Sequence, residues 1–350
     1  MIIYVYPKWH TVSFTVVSQN HLRYLKRMFK IQELDEKDFE KLSEIGHVDT
    51  IILHPLFLIT GLRYSRLTLA RSRCDRLVAF EVADTDRISN KAVDLANQCD
   101  LIIVPSTFAK YAYVASGVTA PVEVIPHGIS PVYTVDNIKP SSEVIKELRD
   151  LKEDKGLVYV LYFLWHSGFR KGADIVYHAF RYIQRRHPTV TLVIKRGAIE
   201  DPYMALLRRL NIYEITTWLP EEDLVSLYDT CDVCIVPSRG GGFELNAIEA
   251  IARGVITMVP RWGPFIDYLE YTIPIEIEGF EKVFKDNPIH VGYGCRPSLR
   301  DFINKFEYVF KNLERLKSVF AITKYEIRRE YTWKRVCEKL KEIFDIYDIL

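Results

Sequence analysis

The sequence predicts an α/β protein made of two doubly wound domains. Three observations predict it. Apolar strand segments alternate with amphipathic helical segments along almost the whole chain, the order that builds parallel sheets. The chain has 350 residues, more than one hydrophobic core usually serves, so two domains are expected. Twice, a short apolar strand runs into a glycine-bearing loop that opens a helix. Such a turn brings backbone N–H groups and the positive end of a helix dipole close to an anion.

The elements follow in order. IIYVY at residues 2–6 reads as the first strand, and residues 21–29 as a helix. Strands are expected at residues 50–54 and 77–80, then a helix over 89–97. A strand at 101–104, a helix over 107–115 and a strand at 122–125 close the first half. Pro121 and Pro126 bound that last strand, and Gly128 opens a turn. Residues 130–155 are charged and contain Pro131 and Pro140. They read as a connector with one short helix, between a first domain at residues 1–135 and a second at 151–332.

The second half carries the stronger chemistry. The apolar strand at residues 157–164 runs into WHSGFRKGADIVYHAF. Gly168 and Gly172 bracket Arg170 and Lys171, and Ile175, Val176, Ala179, Phe180 and Ile183 then recur at helical spacing. An adjacent Arg and Lys at a helix entrance suit a diphosphate, one as a fork and one as a point charge. The second such turn is PSRGGGFELNAIEAIARG. Gly240, Gly241 and Gly242 follow the strand at 233–236, and Glu249 lies on the second turn of the helix over 245–253. A carboxylate there accepts hydrogen bonds from ribose or sugar hydroxyls. Residues 262–297 are less regular, with IPIEIEGF at 273–280 as the expected strand. In the last helix Val336, Leu340, Ile343, Phe344 and Tyr347 form one apolar stripe.

Composition narrows the function classes. With 47 basic and 46 acidic residues the net charge is +1, which gives no electrostatic case for nucleic-acid binding. No apolar run reaches the eighteen residues or more of a membrane span, and MIIYVYPKWH lacks the layout of a signal peptide. A cytoplasmic location is expected. HLRYLKRMFK has an apolar side and a basic side, and Arg63, Arg66, Arg71, Arg73 and Arg76 add a second basic cluster, a surface suited to peripheral contact with anionic lipid. Cys231 and Cys234 form a CxxC, but with no second pair or His pair beside it they read as small core residues.

At this point the residues resemble a family. RKGAD with its helix, WLPEEDLVSLYDTCDVCIVPS at residues 218–238, GGFELNAIEAIARG, VPSTFAK at 104–110 and VIPHGIS at 124–130 resemble the retaining glycosyltransferases of family 4. The motifs stand in the family's order over roughly residues 100–263. The resemblance implies the GT-B fold: two Rossmann-like domains facing a central cleft, with residues 333–350 packing back on the first. The family carries a Glu, seven residues, then a second Glu. Here the second matches Glu249, and the first falls on Gly241. Glu244 stands three places later, where the family has glycine. The family's Arg five residues before the loop Lys is His166 here, and Arg170 is its stand-in.

The resemblance implies transfer of a sugar, with retention and without a metal or other cofactor, from a nucleotide-diphosphate sugar to an acceptor that is a glycan, a lipid or a protein. Glu249 would hold the ribose. Arg170, Lys171 and the amides near Gly241 and Gly242 would hold the diphosphate, with Gly168, Phe243 and His166 lining the donor. Glu244 either caps its helix or reaches sugar hydroxyls. Catalytic candidates are Arg170, Lys171, Glu244 and His10. On the acceptor side His54, Glu81, Asp84 and Asp86 end strands of the first domain. Asp84 and Asp86 mimic a metal-binding aspartate pair of another glycosyltransferase fold, but read more simply as a helix cap paired with Arg87. The alternatives are a non-catalytic nucleotide-sugar binding module and an epimerase on the same fold.

Overall fold

In IIYVY every side chain is buried in strand β1 (Ile2–Tyr6), as a strand covered on both faces requires. The computed structural model describes residues 1–9 and 13–349. Around β1 lie β2 (Ile31–Asp35), β3 (Val48–Leu53), β4 (Cys74–Phe80), β5 (Leu101–Val104) and β6 (Val122–Val124) in the order β2-β1-β3-β4-β5-β6. All are parallel. Helices α1 (Ser13–Leu25), α2 (Leu56–Thr60), α3 (Tyr64–Arg71), α4 (Asn90–Ala96) and α5 (Thr107–Ser116) supply the crossovers. Strand β2 was not expected. IQELD is only half-buried and lacks an apolar run, so nothing in its composition marks a strand.

The second sheet follows α6 (Glu143–Lys155), the connector's helix. Its elements are β7 (Val158–Leu164), α7 (Ala173–Arg186), β8 (Val190–Arg196), α8 (Met204–Leu207), β9 (Ile212–Ile215), α9 (Glu221–Thr230), β10 (Val233–Ile235), α10 (Leu245–Ala252), β11 (Ile256–Pro260) and β12 (Ile273–Ile275). The order is β12-β11-β10-β7-β8-β9, again parallel throughout. The strand order reverses between β7 and β10, which are neighbours although strands β8 and β9 lie between them in the chain. In open α/β sheets that reversal leaves a crevice at the carboxyl ends of the two strands, where ligands bind. The expected strand at residues 273–280 is two strands, β12 and β13 (Ile277–Lys282), and β13 pairs with β14 (Tyr293–Pro297). Helices α11 (Leu299–Lys311), α12 (Leu313–Glu330) and α13 (Trp333–Ile346) end the chain.

Two compact units result. The first comprises Met1–Gly128, Phe284–Tyr293 and Tyr331–Leu350, and the second Ile129–Val283 and Gly294–Glu330. Residues 129–135 thus join the second unit. Phe284–Tyr293, placed by sequence in the second domain, belongs to the first. The reason is a set of long-range bonds: Asp86 accepts from Tyr293 N at 2.7 Å and donates its own amide to Tyr293 O at 3.0 Å, while Ser89 Oγ donates to Pro288 O at 2.7 Å. Helix α13 lies in the first unit. It buries Trp333, Val336, Cys337, Leu340 and Phe344, and the Trp333 ring meets His21 of α1 edge-on at 5.4 Å.

Helix α1 begins eight residues before the expected start, and several side chains of the two basic clusters are paired. Lys26 pairs with Glu33, Arg66 with Glu40 at 3.1 Å, and Arg71 with Asp100 at 2.7 Å. No helix among the described residues is long and apolar enough to cross a membrane. The six cysteines are free and buried, and burial pushes the Cys231 and Cys234 thiols up.

Candidate active site

Two loops at the reversal of the second sheet make the site. One spans residues 165–172 after β7, the other residues 236–244 after β10. They are clasped by two arginines reaching in opposite directions. Arg170 Nη1 donates to the carbonyl of Gly240 at 3.0 Å. Arg239 Nη1 donates to the carbonyl of Phe169 at 2.7 Å. The backbones also join, Arg239 N to Arg170 O at 2.7 Å. Gly172 sits where this contact is tightest. Its φ is +74°, and a Cβ there would drive into the carbonyl oxygen of Pro237, so only glycine fits.

Arg239 does more than clasp. Its guanidinium takes both oxygens of Asp174, in the first turn of α7, at 2.8 Å each, and Glu281 at 2.6 Å. It also lies 4.0 Å over the Phe169 ring. Only 3% of this residue is exposed. A buried cation with two carboxylates and a carbonyl is a fixed strut, because leaving any of those groups unpaired carries the desolvation cost. The sequence reading missed it. Its signal was its place directly before three glycines.

Lys171 and Glu244 meet at the entrance to α10. Lys171 Nζ lies 2.6 and 2.5 Å from the two carboxylate oxygens of Glu244. Arg170 Nη1 is 3.8 Å from the same carboxylate, and Arg170 is 7% exposed. Glu244 occupies the N-cap position, but its side chain makes no capping bond, so the capping reading fails. Its backbone is left-handed, φ 64° and ψ 73°, a conformation costing a non-glycine residue about 1–2 kcal/mol. That turn throws the carboxylate back over Gly241. A Cβ on Gly241 would drive into Glu244 Oε1. The Glu244 carboxylate therefore fills the volume where a side chain at residue 241 would start. Phe243 supports the turn. Its carbonyl accepts from Tyr268 Oη at 2.7 Å, and the two rings meet at 5.7 Å.

Glu249 faces elsewhere. Tyr228 Oη donates to its carboxylate at 2.8 Å, and Tyr133 adds a second side-chain bond. Burial pushes its pKa up to about 7, against the lowering effect of those tyrosines. The left-handed backbone of Glu244 turns its carboxylate over Gly241 and toward Lys171, whereas Glu249, inside the helix, meets Tyr228. The other donor-side candidates stay near the loops. Gly168 N donates to Asp201 at 2.8 Å, Gly242 is buried, and His166 is exposed with Nδ1 2.7 Å from Ser167 Oγ.

The first unit's candidates are of a different kind. His10 lies outside the described residues. His54 is 2% exposed, bonded through Nδ1 to Tyr4 Oη at 2.7 Å and stacked on Phe80 at 4.7 Å. Burial, then the neighbouring His21 and His127, hold it well below the usual imidazole range. Glu81 accepts from the amides of Phe57 at 2.7 Å and Val82 at 3.0 Å, and burial raises it to about 8. Asp84 N lies 3.3 Å from His290 Nδ1, and Asp86 holds Tyr293 N. Neither aspartate caps α4. Ser89 does, and Arg87 donates to the Asp86 carbonyl rather than to its carboxylate. Among the described residues no cluster of three or more His, Cys, Asp or Glu side chains is placed to hold a metal ion.

Comparison with known proteins bears on this geometry. Residues 155–269, which contain both loops, match the family described as Glycosyl transferases group 1. Over 356 residues the chain is 28% identical to protein 356 of Sulfolobus islandicus rod-shaped virus 1, covering 99% of this chain and 98% of that one. It is 33% identical over 243 residues to a candidate glycosyltransferase, numbered 45, of Sulfolobus islandicus filamentous virus (isolate Iceland/Hveragerdi), covering 67% of this chain and 64% of that one. In three dimensions it is similar to the E. coli trehalose-6-phosphate structure bound with UDP-2-fluoro glucose, with a TM-score of 0.72 at 11% identity over 100% of this chain and 99% of that one. The fold is GT-B. Taken together, the matched domain and the fold support a GT-B glycosyltransferase of group 1.

Proposed function

We propose that the protein transfers a sugar from a nucleotide-diphosphate sugar to an acceptor, with retention of configuration and without a metal. The observation that carries this reading is the Lys171–Glu244 pair at the entrance to α10. The Glu244 carboxylate rests where an incoming anion would rest, beside Lys171 and Arg170. In the reading, the diphosphate takes those cations together with the backbone amides near Gly241 and Gly242. Glu244 is released toward the sugar hydroxyls, from the space that a side chain at residue 241 would otherwise enter. Glu249, in its tyrosine-lined pocket, takes the ribose. As the glycosidic bond breaks, charge grows on the leaving phosphate, and cations fixed beforehand stabilise that state more than the ground state. Donor binding belongs to the second unit and acceptor binding to the first. The cytoplasmic location expected from the sequence goes with this reading.

Nucleotide release from candidate donors, with and without acceptor, tests it. Glu244→Gln separates the roles of that residue. A sugar ligand loses rate about tenfold or more while nucleotide affinity and melting temperature hold, and normal turnover would sink the sugar role. Glu249→Ala should weaken binding of the free nucleotide diphosphate by about 1.5–3 kcal/mol, and unchanged affinity would make Glu249 structural. Activity that survives chelator accords with amides and cations holding the diphosphate, whereas activity lost to chelator and restored by manganese contradicts it. A second reading, a non-catalytic binding module, is favoured by one observation: no carboxylate stands at Gly241, and that of Glu244 is spent on Lys171. Donor binding without turnover would select it.

A further inference from the structure

We infer that a cavity between α7 and the turn before β9, ringed by Arg181, Arg185 and Arg209, binds a phosphate-bearing ligand. The cavity has a volume of about 480 Å³ and also takes in Tyr177, Gln184 and Asn211. It belongs to the second unit but not to the two loops described above, and the inference does not depend on the proposed function.

The charge pattern is the first argument. Among the described residues no carboxylate lines the cavity, and none of the three arginine side chains makes a hydrogen bond or ion pair. Their immediate neighbours behave differently. Arg186 pairs with Glu307 at 3.1 Å, and Arg208 takes both Glu200 and Glu214. Carboxylates are thus supplied to the adjacent positions and withheld from these. Arg181 and Arg185 stand four residues apart on one helix face, a like-charge spacing that disfavours the helix. Arg209 brings a third positive charge from another element. Three guanidiniums without a counter-charge suit an oxyanion that accepts paired N–H groups.

The frame is the second argument. Gln184 ties the turn to the helix from both ends of its amide. Its Nε2 donates to Asn211 O at 2.8 Å, and its Oε1 accepts from Asn211 N at 2.9 Å. Asn211 Nδ2 in turn donates to Thr191 Oγ1 at 2.9 Å. Below them Phe180 is fully buried in the core. The backbone carrying Arg209 is therefore fixed against the backbone carrying Arg181 and Arg185 before any ligand arrives, which lowers the ordering cost of binding.

A phosphate group is presented either by a free molecule or by a lipid headgroup, and the test separates the two. Pyrophosphate is titrated calorimetrically into the full chain bearing Lys171→Ala, so that the other loops do not compete. The parent and a version with Arg181→Gln and Arg209→Gln are compared, both checked by thermal melting. Loss of about tenfold or more in affinity in the second protein is expected, with weakening by salt. Sedimentation with phosphatidylglycerol vesicles, against phosphatidylcholine, forms the other arm. Vesicle binding that needs the arginines, without pyrophosphate binding, assigns the phosphate to a headgroup. Arg181→Lys with Arg209→Lys keeps the charge and loses the fork, so intermediate affinity is expected. Equal pyrophosphate affinity in parent and Gln variant, or no binding in either arm, overturns the inference.

Discussion

The strand ends of the two sheets handle charge in opposite ways. After β7 and β10, cations are held by partners: Arg170 by a carbonyl, Lys171 by Glu244, Arg239 by Asp174 and Glu281. After β3 and β4, charge is removed by burial. His54 packs among Tyr4, His21 and Phe80 and is held neutral, His21 is driven down to about 3, and Glu81 is driven up to about 8. Titratable residues at the carboxyl end of a strand are thus not alike. Those in the second sheet are held in ion pairs and against carbonyls, and those in the first are packed as neutral groups.

The contrast can be broken from either side. The largest expected effect is that of Lys171→Ala. Losing a cation beside a developing phosphate charge should cost about 2–4 kcal/mol, roughly thirty- to a thousandfold in nucleotide release, and a near-normal rate would empty the second sheet's loops of their role. Next comes Arg239→Ala, which strands Asp174, Glu281 and the Phe169 carbonyl. Both carboxylates are partly exposed, so the loss of stability should be about 2–3 kcal/mol by urea melting, below the full value for a buried pair. Arg239→Lys should recover only part of it, since an ammonium cannot fork.

Glu249 offers a test by pH. Its folded pKa, about 7, lies above the unfolded carboxylate value. The folded state then holds its proton longer, so this group's contribution falls as pH rises from the unfolded value toward 7. Glu249→Gln should therefore gain on the wild type by about 1 kcal/mol or more between pH 5 and pH 8, and parallel curves would show that the carboxyl is not buried in solution. The smallest effect is expected from His54→Gln. An imidazole already neutral has no charge to lose, so turnover should change less than about threefold while the melting temperature falls. A collapse in turnover would move the first sheet's histidine into the chemistry and erase the contrast.

Much of this was legible in the residues. Gly168, Gly172, Arg170 and Lys171 stand between a strand and a helix, and local composition alone placed them at one loop. Where the Glu244 carboxylate lies relative to Gly241 could be asked from the sequence but not answered. The answer depends on a left-handed glutamate, which propensity argues against. Arg239 was passed over, because its partners lie in α7 and in β13. His54 and Glu81 were placed correctly at strand ends, but their neutrality comes from burial, with His21 and His127, distant in the chain, beside His54. The segment Phe284–Tyr293 was misassigned for the same reason, since its partners Asp86 and Ser89 lie some two hundred residues earlier.

The first unit is stitched from three stretches of chain. Its last piece, α13, covers His21 of α1, and the tail bonds back to β3 and β4 through Ile349 with Thr50 and Asp348 with Arg76. During synthesis the residues of the second unit therefore leave the ribosome before the first has all its parts. The first sheet must wait, with the side of α1 that α13 will cover exposed, until residues 331–350 emerge. The half that is made first is the half that finishes last, and a stop codon near residue 330 would spare the second sheet's sequence while leaving the first without its lid.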